Sequence, residues 1–190
     1  MNALSLLDPG RAAACLHAGG VIAYPTEAVY GLGCDPGCEA AVRRILAVKQ
    51  RRAEAGLILI SDRYERFLPY VGELPDGGLE RTRTTWPGPV TWLFPRHPSV
   101  PDWLAGSHDT IALRVTAHPE CRALCAAFGG AVVSTSANPA GQEPARSAGA
   151  VADYFDDDID GILEGELGGR AAPSEIRRLD TGAVVRGGSA

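Results

Sequence analysis

Three short polar segments carry the residue types that could do chemistry on an anion. Lys49-Gln50-Arg51 follows a segment with helical periodicity and precedes an apolar run. In an extended loop, alternate side chains project to one side, so Lys49 and Arg51 would converge on one target while Arg52 turns away. Two cations on one target suit a polyphosphate, most of all where water is sparse. A solvated basic turn, closing a helix against its own dipole, is the plainer alternative. Ser134-Thr135-Ser136-Ala137-Asn138 supplies three hydroxyls and an amide directly after a run of small apolar residues. Such groups donate to phosphate oxygens and hold a metal's water shell, or they cap a turn. Arg114 interrupts the apolar run Ile111-Ala112-Leu113-Arg114-Val115, where alternation puts it on one face with Ala112. Its planar fork matches a carboxylate bidentately if that face lines a cleft; otherwise it is an exposed edge-strand arginine.

Composition singles out one of these residues. The 18 basic residues are 17 arginines and one lysine, Lys49. Where generic positive charge suffices, this chain uses arginine. Lysine is a compact point charge on a flexible stem, so the position that keeps it either has a need arginine does not meet or is a chance survivor.

The elements that must position these groups alternate. Asp8-Pro9 is a helix start, a capping side chain followed by proline at the first helical position. It predicts a short helix over 10–18, ended by Gly19-Gly20. A buried strand over 21–24 stops at Pro25, and the glycine-rich stretch 26–37 reads as a loop. Glu39–Val48 is helical, with Val42, Ile45 and Leu46 on an apolar stripe and Arg43 and Arg44 turned away. Residues 57–60 form a short apolar strand suited to cover on both faces. Helices are expected over 62–71 and 78–85, then a rigid turn at Trp86-Pro87-Gly88-Pro89, a strand over 90–94 and a loop over 95–109. The strand Thr110–Val115, the helix Pro119–Phe128, a strand over 131–134 and a helix over 145–155 follow. Strands over 162–163, 175–179 and 183–186 close the chain, the last two joined by a tight turn at Thr181-Gly182. The alternation predicts an α/β sheet, and the late hairpin makes it mixed. Pro25-Thr26-Glu27 and residues 134–138 both follow strands, where ligands collect in open α/β sheets.

At 190 residues, the chain fits one domain over 1–190, and 45% apolar residues suffice to fill its core. No apolar run approaches the ~20 residues of a membrane span. The start Met1-Asn2-Ala3-Leu4 lacks the pattern of a signal peptide, so the expected location is cytoplasmic. Five cysteines, an odd number, argue against a disulfide framework. Cys34/Cys38 and Cys121/Cys125 are spaced for a conceivable zinc site, yet Cys121 and Cys125 fall on an Ala-rich helical stretch that suits cysteine as an apolar filler; no metal ligands are assigned. A net charge of −5 gives no global pull toward nucleic acid, despite the cluster Arg43, Arg44, Lys49, Arg51 and Arg52. The acidic run at Asp156, Asp157, Asp158 and Asp160 reads as a solvated loop. His97, His108 and His118 adjoin prolines or turns and are expected at the surface.

Five segments taken together carry a resemblance over nearly the whole chain. Residues 24–33, Lys49-Gln50-Arg51, Trp86-Pro87-Gly88-Pro89-Val90-Thr91, residues 111–115 and residues 134–138 occur in the order and spacing of YrdC-like proteins. Among these, the chain resembles the short bacterial TsaC branch of threonylcarbamoyl-AMP synthases. The resemblance implies a single domain with a twisted mixed α/β sheet flanked by helices and a concave basic cavity. It implies a nucleotidyltransferase that joins L-threonine, bicarbonate and ATP into threonylcarbamoyl-AMP, releasing pyrophosphate, for the t6A modification of tRNA. The catalytic tetrad would be Lys49, Arg51, Ser136 and Asn138. Thr110 and Arg186 match further ATP contacts, and Thr26, Arg114, Ser134 and Ser174 match the threonine contacts. Mg2+ would bridge phosphate oxygens instead of sitting in a protein cage. The product would pass to the tRNA threonylcarbamoyl transferase complex, with at most a weak direct tRNA contact. Longer relatives carry Asn and His where this chain has Ala55 and Ile60, and Ser-Thr-Val where it reads Ser174-Glu175-Ile176. Rival readings are an RNA-binding module, a YciO-like paralogue and a hydrogenase-maturation carbamoyltransferase.

Overall fold

The computed structural model describes residues 4–171 and 174–187. The start read at Met1-Asn2-Ala3 lies outside them. Among the described residues, ten strands run in chain order: β1 (Leu6–Leu7), β2 (Ile22–Pro25), β3 (Tyr30–Gly33), β4 (Ile58–Ser61), β5 (Val90–Pro95), β6 (Thr110–Val115), β7 (Val132–Ser136), β8 (Gly161–Leu163), β9 (Glu175–Arg178) and β10 (Val184–Arg186). They form one sheet in the order β1-β8-β2-β3-β7-β4-β6-β5-β9-β10. The sheet is mixed: β4 runs parallel to β6 and β5 to β9, while β7 is antiparallel to both β3 and β4. The expected late hairpin is present, pairing Val184 with Arg177 antiparallel.

Helix ends follow local chemistry. In α1 (Pro9–His17), the Asp8 carboxylate accepts from the Arg11 amide at 2.9 Å and Pro9 fills the first turn. In α5 (Pro119–Phe128), Gly129 ends the helix in the left-handed region at φ 80°. In α6 (Ala148–Phe155), the Ser147 hydroxyl accepts from the Ala150 amide at 3.1 Å. That cap starts the helix three residues later than the apolar pattern suggests.

Alternation along the strands splits the core into two layers. Ile22, Tyr24, Ile60, Val132 and Leu163 face α1 and α5, meeting Leu16, Cys121, Leu124 and Cys125. Val21, Ala23, Leu59 and Val133 face the opposite side, against α2 (Glu39–Val48), α4 (Asp102–Ala105) and α6. The stripe read on α2 packs as expected, with Val42, Ile45 and Leu46 buried.

Several segments differ from expectation. The stretch 26–37 contains β3, which pairs with both β2 and β7. Its glycines mimic a loop, but they are required by packing. A Cβ on Gly33 would lie 2.6 Å from a Tyr24 ring carbon and 2.5 Å from the Val133 carbonyl oxygen. The Tyr24 ring occupies that space, and its hydroxyl donates to the Val133 carbonyl at 2.9 Å. Residues 62–71 hold a 3-10 helix, Tyr64–Tyr70, in place of an α-helix, with Pro69 inside it. The helix expected over 78–85 is a short α3 (Gly78–Thr82), and the loop 95–109 contains α4.

Candidate active site

A cavity of about 390 Å³ opens on the sheet face that α1 and α5 cover elsewhere. Register explains its floor. Ile58 pairs with both Ala112 and Ser134, and Ile60 pairs with both Arg114 and Val132. Paired residues share a face, so Thr110, Ala112 and Arg114 of β6 lie on the Ile60–Val132 side, beyond the cover of the two helices. The cavity is lined by Thr26, Arg51, Thr110, Arg114, Ser134, Ser136, Ser174 and Arg186, eight of the ten residues singled out in the sequence. Glu27, Tyr30 and His108 also line it; sequence reading gave them no role.

Lys49 and Asn138 stand behind this lining. The extended loop expected at Lys49-Gln50-Arg51 does not form. Lys49 ends α2 in helical conformation, and Gln50 is left-handed at φ 51°. The Arg51 amide reaches the Leu46 carbonyl and the Gln50 amide that of Ala47, each at 2.9 Å, which is the Schellman closure usually built on glycine. The two cations therefore part. Arg51 reaches the cavity, donating to the Gly56 carbonyl at 2.8 Å. Lys49 is buried, and its ammonium donates to the Ser136 carbonyl, to the Asn138 carbonyl at 2.9 Å and to Asn138 Oδ1 at 3.4 Å. Asn138 in turn accepts from the Ser136 hydroxyl at 2.6 Å and donates to the Gln142 carbonyl at 2.8 Å. Lys49 thus fixes the turn that presents Ser136. Three acceptors around one nitrogen suit an ammonium and not a planar guanidinium. Burial, and then the Arg51 charge, lowers the Lys49 pKa to about 8.

The other end of the cavity is built on Arg114. It is buried, and its Nη1 forms an ion pair with Glu27 Oε2. Glu27 Oε1 accepts from the Thr116 hydroxyl at 2.8 Å, and Thr116 Oγ1 accepts in turn from the His118 amide at 3.1 Å. Burial by itself would raise the Glu27 carboxyl; the Arg114 charge and the hydrogen bonds outweigh it and hold Glu27 below the usual range. Thr26 spends its hydroxyl proton on the Val29 carbonyl at 2.7 Å, leaving its lone pairs as acceptors. The Ser174 hydroxyl meets that of Thr91 at 3.0 Å. A strap over residues 164–170 pins this corner: the Gly168 amide donates to the Thr26 carbonyl at 3.0 Å and the Arg170 amide to that of Glu27 at 2.8 Å. His118 is buried, contrary to the surface expectation, because its Nε2 meets the Glu166 carbonyl of that strap at 3.0 Å.

Residues 14–188 match the family model Sua5_yciO_yrdC, described as "Telomere recombination". The chain belongs to the Sua5/YciO/YrdC family. The threonylcarbamoyl-AMP synthase of Pseudomonas savastanoi pv. phaseolicola is 54% identical over 178 residues, spanning 94% of this chain and 96% of that protein. The synthase of Halorhodospira halophila is 51% identical over 176 residues, 93% of this chain and 92% of that one. Among solved structures, P. abyssi Sua5 complexed with L-threonine superposes with a TM-score of 0.88 at 31% identity, over 95% of this chain and 54% of that longer one. E. coli YciO superposes with a TM-score of 0.83 at 28% identity, over 95% of this chain and 88% of that one. The mixed sheet flanked by helices is thus the Sua5/YciO/YrdC fold. Ala55 and Ile60, where the resemblance implied a departure, lie apart: Ala55 lines the cavity, while Ile60 packs into the layer under α5.

Proposed function

We propose that this chain is a nucleotidyltransferase that makes threonylcarbamoyl-AMP from L-threonine, bicarbonate and ATP, releasing pyrophosphate, for t6A formation in tRNA. One observation carries the reading: a polyphosphate-type neighbourhood (Arg51, Ser136, Arg186) and an amino-acid-type neighbourhood (Thr26, Arg114, Ser134, Ser174) share one cavity. Relatives more than 50% identical over nearly their whole length carry the name threonylcarbamoyl-AMP synthase.

The chemistry follows from the placement. The guanidinium of Arg114 holds the threonine carboxylate, and the Thr26 and Ser174 oxygens read its other polar groups. The threonine amine adds to the carbon of bicarbonate with loss of water. The resulting carbamate oxygen attacks the α-phosphate of ATP, and pyrophosphate leaves. Carbamates revert in open water, so a walled cavity matters as much as any single contact. Arg51 and Arg186 offset charge growing on the phosphates, Thr110 adds a nucleotide contact, and Lys49 with Asn138 fixes the Ser136 turn. Catalysis is then positioning plus electrostatics. The polyphosphate end offers hydroxyls and guanidiniums, while Glu27, a carboxylate of the cavity lining, is engaged at the amino-acid end by Arg114 and Thr116. Mg2+ would enter with the incoming ATP and would offset phosphate charge there. The reading places the enzyme in the cytoplasm, passing its product to the tRNA threonylcarbamoyl transferase complex with only weak tRNA contact of its own. No described helix is long and apolar enough to cross a membrane.

Pyrophosphate release, with threonine and bicarbonate omitted in turn, tests the assignment. Release is expected only when both are present with ATP; release indifferent to threonine refutes it.

A further inference from the structure

Three arginines line the cavity, and they are not electrically alike. Arg51 and Arg186 donate to neutral backbone carbonyls, those of Gly56 at 2.8 Å and Ser174 at 2.9 Å, and neither has a carboxylate partner among the described residues. They crowd one another. Burial first, and then the Arg51 and Arg114 charges, push Arg186 below the usual guanidinium range. Arg114 alone carries a counter-charge, the Glu27 carboxylate on its Nη1. That contact occupies one corner of the guanidinium. Nε is buried with no partner among the described residues and is shut off from the cavity; what Arg114 presents there is its Nη2 corner, which makes no hydrogen bond among the described residues. The cavity therefore has an end with two uncompensated cations and an end that is close to neutral but keeps a directional donor.

Both substrates of the proposed reaction are anions at their binding groups, a carboxylate and a polyphosphate. An uncompensated Arg114 would attract the more highly charged one and draw phosphate into the amino-acid pocket. We propose that Glu27 is a specificity-determining residue that sorts the two: by neutralising Arg114, it leaves a hydrogen-bonding edge for a single carboxylate while the polyphosphate is drawn to Arg51 and Arg186. The inference rests on the functional reading above. Thr116 acts behind Glu27, since its hydroxyl, anchored by the His118 amide, keeps the carboxylate turned to Arg114.

The test is L-threonine binding to the full chain by calorimetry, in chloride and in inorganic phosphate at matched ionic strength, so that screening is the same in both. For the wild type, phosphate is expected to weaken ATP binding and leave threonine binding unchanged. For Glu27→Gln, which keeps the shape and removes the charge, threonine binding should be near normal in chloride. In phosphate it should weaken by ~10-fold or more, the low end of one charge-assisted contact. Removing one partner of a buried pair can prevent folding, so the wild-type arm stands by itself: threonine binding weakened by phosphate in the wild type overturns the proposal. A Glu27→Gln variant indifferent to phosphate also overturns it. So does one equally weakened in both salts, the signature of a merely structural role. A wild type that binds no threonine removes the functional reading and this proposal together; the variant outcomes remove this proposal alone.

Discussion

Replacing Lys49 by methionine separates a positioning cation from a merely buried one. Methionine keeps the unbranched stem and removes the ammonium, stripping three contacts from the Ser136–Asn138 turn. The three bonds act as a unit, so their energies do not add. Counting only one charge-assisted bond gives a loss of ~1.5–3 kcal/mol, which is roughly a 10- to 150-fold fall in turnover. Some of this appears as lower stability, because two backbone carbonyls lose their donor. Pyrophosphate release should therefore be measured well below the variant's own melting temperature, set by circular dichroism. Lys49→Arg keeps the charge and is expected to fail by a similar factor, since a planar fork cannot place one nitrogen among three surrounding oxygens. A Lys49→Met enzyme that turns over within about twofold of wild type, or full activity in Lys49→Arg, would refute the view that this ammonium sets the Ser136 turn.

Three further expectations follow, for Arg51, for the titration of Lys49 and for Gly33. Arg51→Gln should raise KM for ATP by ~10-fold or more and leave the threonine Kd unchanged; equal loss of both would dissociate Arg51 from the phosphate end. Lys49 has a folded pKa near 8 against 10.5 for the free side chain, so between those values the unfolded chain binds more protons, and this group's contribution to stability rises with pH. Turnover should instead fall as pH climbs through about 8, and a flat rate profile to pH 10 would contradict the depressed value. Gly33→Ala pushes a methyl into the Val133 carbonyl and the Tyr24 ring, a clash of ~1–3 kcal/mol. It should lower the melting temperature by roughly 2–12 °C; an unchanged melt would mean that β2 and β3 yield freely.

What could be read from the sequence was local and periodic. The α2 stripe, the Asp8-Pro9 helix start and the single-face placement of Ala112 and Arg114 needed only the repeat of one element. Errors arose where distant chain decides the outcome. β3 reads as a loop because Gly31 and Gly33 signal flexibility, and only the Tyr24 ring lying across them shows that they serve packing. Convergence of Lys49 and Arg51 assumed extended backbone; a left-handed Gln50, rare for a residue with a Cβ, parts them. His118 looks superficial until the 164–170 strap is laid over it. Glu27 stood in plain view beside Thr26, but its partner Arg114 lies 87 residues away, and no spacing rule connects them.

The central place of β7 has a consequence for how the molecule is made. Among the described residues, it is the only strand that hydrogen-bonds the β2–β3 side of the sheet to the β4–β6 side. A growing chain that has already emitted Thr26 and Arg114 has them on two strand groups with no ladder between them. The hydrogen-bonded sheet beneath the cavity therefore cannot be continuous until Ser136 has been added, when some seven-tenths of the polypeptide has been synthesised.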